Sequence, residues 1–107
     1  MRIVIAGAGE VGTHLAKMLS QSEHEIILID SEAERLKPVD ASLDVLTFEG
    51  SATSLNLLRE AIKKHTDLFI AVAHYEDTNI TASILAKKLG ARKVIARIDN
   101  MEYLERA

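Results

Sequence analysis

Three glycines near the start of the chain have the spacing of a loop that can hold a pyrophosphate. Gly7, Gly9 and Gly12 form a G-x-G-x-x-G pattern directly after an apolar run. In this pattern the first glycine permits a tight turn, the second lets the backbone approach a pyrophosphate, and the third lets the next helix pack closely on the strand. The N-terminus of that helix offers unpaired N–H groups and a positive dipole end. The loop therefore predicts a phosphate-binding turn.

Asp30 supplies the acidic residue that such a loop requires. It lies 18 positions after Gly12, close to the spacing of about 20 that is typical of dinucleotide sites. Its carboxylate can accept hydrogen bonds from both hydroxyls of an adenosine ribose and would repel a 2′-phosphate, which favours NAD or an adenine nucleotide over NADP. The alternative is that Asp30 only caps the following helix, because aspartate is a common cap residue.

Five short apolar runs are predicted to form the strands that position this loop. They cover residues 3–6, 26–29, 45–48, 68–73 and 94–98. The runs are continuous, which is typical of strands covered by helices on both faces. Their strict alternation with helical segments predicts an α/β fold of Rossmann type, a doubly wound parallel sheet with strand order 3-2-1-4-5. Ligands bind such a sheet at the carboxyl ends of the strands, where the winding direction reverses.

The second and fourth predicted helices have recognisable limits. Ser31 with Glu34 predicts a capping box at the start of the second helix, and Pro38 predicts that this helix ends or kinks there. Gly90 predicts the end of the fourth helix, and Asn100 can cap a last helix. The buried stripe of the fourth helix is predicted to contain Ile80, Ile84, Leu85 and Leu89.

Composition limits the remaining functions. The chain has 107 residues, of which 48% are hydrophobic and 27% charged, which fits a single globular domain. A net charge of −3 argues against a general nucleic-acid binder. The lack of cysteine excludes disulfides and thiolate chemistry. Without an apolar run of about 18 residues or a signal-peptide pattern, we expect a cytoplasmic chain that does not insert into a membrane.

Motifs along nearly the whole chain resemble the TrkA-N family, also called KTN or RCK-N, the regulatory domain of potassium transport and channel proteins. The family pattern is G-x-G-x-x-G, an acid ending the second strand, G-D-A-T, A-V-T-x-x-D-E-x-N, A-K-x-x-G-A-x-x-V-I-A-R and N-x-E-Y. The matching positions here are residues 7–12, Asp30, and residues 50–53, 71–79, 86–97 and 100–103. Two departures affect the crevice: Ser51 replaces the usual Asp and Ala73 replaces the usual Thr.

The resemblance implies a non-catalytic domain that binds NAD(H) or ATP/ADP in the crevice through the AMP moiety. It implies that the nucleotide state passes to a membrane potassium transporter subunit through a change in domain arrangement. A homodimer or higher homo-oligomer is expected, at the inner face of the cell membrane. We expect residues 1–107 to form a TrkA-N domain that is truncated at its C-terminal end, because the family domain usually continues through a further strand and helix.

The same resemblance assigns candidate cofactor-binding residues. Residues 7–12 would cradle the phosphates, and Asp30 would hold the ribose. The complete predicted set is Gly7, Ala8, Gly9, Glu10, Val11, Gly12, Asp30, Ser31, Ser51, Ala52, Thr53, Ala73, His74 and Arg97. Two members have simpler alternatives: His74 can be a solvated loop residue, and Arg97 can pair with Asp99 or Glu102 instead of contacting phosphate or another subunit.

No catalytic residue and no metal ligand is predicted. The histidines lack the spacing of a metal site, and no Tyr-x-x-x-Lys pair of the kind that short-chain reductases use is present. Tyr75 can act as an acid or a stacking group. Three other functions remain open: the cofactor-binding domain of an NAD-dependent oxidoreductase, a methyltransferase fragment that binds S-adenosylmethionine, and a purely structural domain.

Overall fold

The computed structural model describes residues 1–63 and 65–99. Strands and helices alternate along the chain without exception. The elements are β1 (Arg2–Ala6), α1 (Glu10–Ser20), β2 (Glu25–Asp30), α2 (Ala33–Ser42), β3 (Leu46–Glu49), α3 (Leu55–Ala61), β4 (Leu68–Ala71), α4 (Glu76–Lys88) and β5 (Lys93–Ala96). This alternation confirms the predicted α/β class.

The sheet has five parallel strands in the order β3-β2-β1-β4-β5, as the sequence predicts. β1 is central, and its Ile3 pairs with Ile26 of β2 on one side and with Leu68 of β4 on the other. The chain winds in one direction through β2 and β3 and in the opposite direction through β4 and β5. The carboxyl ends of β1 and β4 therefore lie side by side at the point of reversal, where ligands bind in this type of sheet.

Two apolar clusters bury the two faces of the sheet. On one face the strands pack against α3 and α4, with Leu58 and Phe69 fully buried. On the other face they pack against α1 and α2, with Ile5 and Leu28 fully buried. Because β1 and β2 are covered on both sides, both of their side-chain rows are apolar, which explains the continuous runs in the sequence.

α2 begins without the predicted capping box, and it does not end at Pro38, which is one of the two outcomes that the proline predicted. It continues through Pro38 to Ser42, because the buried side chains of Leu36 and Val39 anchor both halves of the helix to the sheet. Proline at this position removes one hydrogen bond within the helix. The capping box is also wrong: the N-cap residue is Glu32, whose own N–H donates to Asp30 Oδ1 at 2.8 Å.

The buried face of α4 consists of smaller residues than predicted. Asn79, Ala82, Ser83 and Ala86 face the sheet, whereas Ile84 is 53% exposed. Leu85 and Leu89 are partly buried and pack against the apolar cluster as predicted, so Ile84 is the stripe residue that the prediction misplaced.

The end of α4 agrees with the sequence prediction. α4 ends before Gly90, which has a φ of +117°, and Ser54 caps α3 by accepting the Leu57 N–H. The predicted helix after Asn100 lies outside the described residues. Within residues 1–63 and 65–99, every helix is too short or too polar to span a lipid bilayer.

Candidate functional site

The turn between β1 and α1 contains two glycines that the fold itself requires. Gly7 has a φ of +114°, and a Cβ atom there would lie 2.7 Å from the Ala73 backbone nitrogen. A Cβ atom on Gly12 would collide with the Gly7 carbonyl oxygen. These two glycines let the turn lie against the end of β4 and let α1 pack beneath the turn.

Gly9 is a glycine that the fold does not require. Its φ of −77° and ψ of −161° are open to any residue. Apart from Gly9 itself and its chain neighbours Ala8 and Glu10, no heavy atom of the described residues would lie within 4 Å of a Cβ atom there. Gly9 nevertheless lines the cavity described below. The missing side chain therefore leaves room for a ligand in the cavity to approach the Gly9 backbone closely.

The N-terminus of α1 presents free backbone donors next to Gly9. The first backbone hydrogen bond of the helix runs from Thr13 N–H to the Gly9 carbonyl, at 3.0 Å. The N–H groups of Glu10, Val11 and Gly12 consequently have no carbonyl within the helix. The N–H groups of Glu10 and Val11, which line the cavity described below, lie at the positive end of the helix dipole and can bind an anionic group.

Asp30 lies at the end of β2 with a side chain that is 6% exposed. Its Oδ2 accepts the Ala8 N–H and its Oδ1 accepts the Glu32 N–H, each at 2.8 Å. Arg35 Nη1 lies 3.7 Å from Oδ2. The carboxylate thus ties the glycine turn to the start of α2. A carboxylate has about four acceptor positions, so it keeps capacity for ligand hydroxyls.

A cavity of about 580 Å³ opens at the carboxyl ends of the strands. This volume lies in the range of small-molecule sites. The predicted site residues that line it are Gly7, Gly9, Glu10, Val11, Asp30, Ser31, Ser51, Ala52, Ala73, His74 and Arg97. The sheet therefore gathers residues that are far apart in the sequence around one space, at the position that the strand order predicts.

Three predicted residues do not line this cavity. Ala8 is buried and contributes its N–H to Asp30 instead. Gly12 is buried under the turn because its role is helix packing. Thr53 hydrogen bonds to Ser51 through both its N–H and its hydroxyl, so it shapes the loop after β3.

Sequence reasoning missed several lining residues on the helices. Glu32 and Arg35 form an ion pair at 3.1 Å at the start of α2, and Tyr75 and Thr78 lie at the start of α4. The other missed residues are Ile29, Gly50 and Val72. The fold topology could have identified those at the helix starts, since every helix in this fold begins beside the carboxyl end of the strand before it.

The end of the cavity farthest from Asp30 contains aromatic and charged side chains. The rings of His74 and Tyr75 meet edge to face, with centroids 5.0 Å apart. Arg97 Nε lies 3.3 Å from Asp99 Oδ1. Arg97 therefore both lines the cavity and forms the ion pair that the sequence offered as the alternative. The described residues contain no group of three His, Cys, Asp or Glu side chains that could hold a metal ion.

Comparison with known proteins places the chain in a family. The family model of the TrkA-N domain matches residues 3–107. The chain belongs to the TrkA-N family. It is 43% identical over 106 residues to the Trk system potassium uptake protein TrkA homolog of Archaeoglobus fulgidus, a match that covers 99% of this chain and 24% of that relative. The chain thus spans about a quarter of the length of this relative.

Solved structures with the same fold include two that contain a bound nucleotide. The Kef CTD of Shewanella denitrificans in its AMP-bound form aligns with a TM-score of 0.80 at 21% identity, over 99% of this chain and 64% of that one. A short-chain dehydrogenase/reductase of Veillonella parvula in complex with NADP aligns with a TM-score of 0.69 at 20% identity, over 87% of this chain and 45% of that one. At these identities the similarity concerns the fold.

The TrkA-N motif ending in Asn79 has a structural role at the cavity wall. Asn79 is 1% exposed. Its Oδ1 accepts the Ala73 N–H at 2.7 Å, and its Nδ2 donates to the carbonyls of Ala73 and Arg97 at 3.0 and 3.1 Å. One side chain on α4 therefore joins the segments that follow β4 and β5, and both segments line the cavity.

Proposed function

We propose that this chain is a cytoplasmic regulatory domain of a potassium uptake system, and that it binds NAD(H) or ATP/ADP without reacting with it. The observation that supports the proposal most directly is Gly9. Nothing in the described part of the fold fills the space next to this residue, and free N–H groups adjoin it. A pyrophosphate would use both features, since it needs close approach to the backbone and donors at a helix N-terminus.

The AMP moiety of such a ligand would occupy the end of the cavity nearest Asp30. With its phosphate at Gly9, the ribose hydroxyls would reach Asp30 and the adenine would lie between Ser31 and the loop that contains Ser51 and Ala52. The AMP-bound form of the Kef CTD, which shares this fold, supports a ligand that contains an AMP moiety.

Regulation would follow from linkage between the cavity and the rest of the protein. A nucleotide that binds one arrangement of domains more tightly than another shifts the population toward that arrangement. The partner would be a membrane potassium transporter subunit, with the domain in a homodimer or higher homo-oligomer at the inner face of the membrane. The name of the Archaeoglobus relative supports the link to potassium uptake.

A second candidate function is the cofactor-binding domain of an NAD-dependent oxidoreductase. Its support is the shared fold of the NADP-bound short-chain dehydrogenase/reductase. This function requires a second domain with an acid–base residue that faces the nicotinamide. It predicts oxidation of NADH once such a domain is present, whereas oxidation of NADH by this chain alone would contradict the regulatory proposal.

The Gly9→Ala variant tests the proposed nucleotide site. Because a methyl group has free space there and the backbone angles suit alanine, we expect the free energy of unfolding to stay unchanged or to rise by up to about 1 kcal/mol. Affinity for NADH or ADP should fall by about tenfold or more, because the methyl group occupies the space of the pyrophosphate. Urea unfolding and calorimetric titration measure the two quantities.

Gly12→Ala is the contrasting variant, because its Cβ atom collides with backbone. It should lose stability whether or not the cavity binds a nucleotide. A stable Gly9→Ala variant with the affinity of the unaltered chain would contradict the proposed phosphate position.

A further inference from the structure

The cavity carries an acidic side chain in the region assigned to phosphates. Glu10 is the first residue of α1, directly after Gly9, and it is exposed and lines the cavity. Within residues 1–63 and 65–99, no Lys, Arg or His nitrogen lies within 4.0 Å of its carboxylate. Among the described residues, no neighbouring cation neutralises its charge.

The positive charges of the cavity wall are already paired. The two arginines that line the cavity are Arg35 and Arg97. Arg35 lies 3.1 Å from Glu32 and 3.7 Å from Asp30, and Arg97 lies 3.3 Å from Asp99. With Glu10 added, carboxylates outnumber guanidinium groups around this space. An anion bound by the backbone donors at the start of α1 would therefore be surrounded by a cavity wall of net negative charge.

We propose that Glu10 makes this site select nucleotides by phosphate charge, so that it binds NAD(H) in preference to ATP. This inference rests on the proposed function, because it assigns the ligand of the same cavity. Each bridging phosphate of a dinucleotide carries one negative charge, whereas a terminal phosphate carries about two. The α1 donors can stabilise the pyrophosphate of NAD(H). The additional charge of ATP would meet the Glu10 carboxylate, and both arginines that line the cavity among the described residues are already paired.

The size of the effect follows from the distance between like charges. At about 5 Å, in an environment between protein surface and water, one pair of like charges changes an equilibrium by roughly tenfold. The repulsion is electrostatic, so it should weaken as salt shortens the screening length to about 3 Å at 1 M. Specific packing of the nicotinamide ring would not show this dependence on salt.

The test compares NAD⁺ and ATP in titration calorimetry at low ionic strength without magnesium. The unaltered chain should bind NAD⁺ about tenfold more tightly than ATP. In Glu10→Gln this ratio should shrink by about tenfold, mainly through tighter binding of ATP. Adding 0.5 M NaCl to the unaltered chain should shrink the ratio in the same direction.

Glu23→Gln is the matched control, because it removes the same charge at the opposite end of α1. Glu23 is exposed in the turn after the helix. α1 has 11 residues, so it separates the two carboxylates by about 16 Å, well beyond a Debye length at moderate salt. The ratio of affinities should be unchanged in this variant. Circular dichroism confirms that both variants are folded.

Two results would overturn the inference by itself. One is ATP binding as tightly as NAD⁺ to the unaltered chain, and the other is an equal change in both affinities on Glu10→Gln. If the folded chain binds no nucleotide at all, the proposed function fails and the inference fails with it. The two failures are therefore distinguishable in a single set of titrations.

Discussion

At the scale of single residues, Asp30 combines a structural role with a proposed recognition role. The sequence offered a helix cap and a ribose contact as alternatives. The structure has the carboxylate accepting N–H groups from Ala8 and Glu32 while it also lines the cavity. Any substitution there changes the glycine turn as well as the surface that a ribose would meet.

Asp30→Ala should therefore reduce both stability and affinity. It leaves two backbone N–H groups in or beside the core without their acceptor, at a cost of about 2–4 kcal/mol in the free energy of unfolding. Affinity for NADH should fall as well. Asp30→Asn is the milder control, since its amide oxygen can still accept one of the two hydrogen bonds. Urea unfolding of both variants measures the difference, and Asp30→Ala with unchanged stability would contradict the structural role.

The same carboxylate predicts discrimination between cofactors. A ligand with a 2′-phosphate would place negative charge beside a buried carboxylate. NADPH should consequently bind more weakly than NADH in competition titrations. Equal affinity of the two cofactors would contradict the role assigned to Asp30 and would point to Arg35 as a phosphate contact.

At the scale of helices and strands, α4 connects the two strand ends on one side of the cavity. Asn79→Ala should remove three hydrogen bonds to Ala73 and Arg97 and lower the free energy of unfolding by about 2–4 kcal/mol. Nucleotide affinity should fall too, because both segments line the cavity.

Ser83→Ala provides the control for this variant. Ser83 is buried on the same face of α4, and its Oγ has no hydrogen-bond partner among the described residues. Its substitution should leave stability and affinity nearly unchanged. An Asn79→Ala variant that behaves like Ser83→Ala would contradict the role of Asn79 in joining the strand ends.

Sequence patterns predicted the strands better than they predicted the helices. The apolar runs located all five strands, and their alternation with helices predicted the strand order. Burial on both faces holds for β1 and β2, whereas the edge strands β3 and β5 are only partly buried, and the predicted runs extend two residues beyond the ends of β4 and β5. The end of α2 could not be deduced, because burial of Leu36 and Val39 against the sheet outweighs the local effect of Pro38. Ile84 was misassigned to the buried face because helical spacing identifies a stripe but does not specify how closely the helix approaches the sheet.

At the scale of the whole molecule, the position of the cavity follows from the strand order. Strict alternation of strands and helices predicts where the winding reverses, and Gly9 and Asp30 mark the crevice there. The charged residues Glu32 and Arg35 could not be predicted, because their orientation depends on the exact start of α2. The family membership extends the interpretation to a role in potassium uptake, which remains the proposal for the complete protein.

The most direct test of the central claim is calorimetric titration of this chain with NADH, ADP and S-adenosylmethionine. We predict that NADH binds with one site per chain, that ADP competes for that site, and that S-adenosylmethionine does not bind. Incubation of the same samples should show no oxidation of NADH. Binding of S-adenosylmethionine alone, or no binding of any of the three by the folded chain, would contradict a nucleotide-sensing domain.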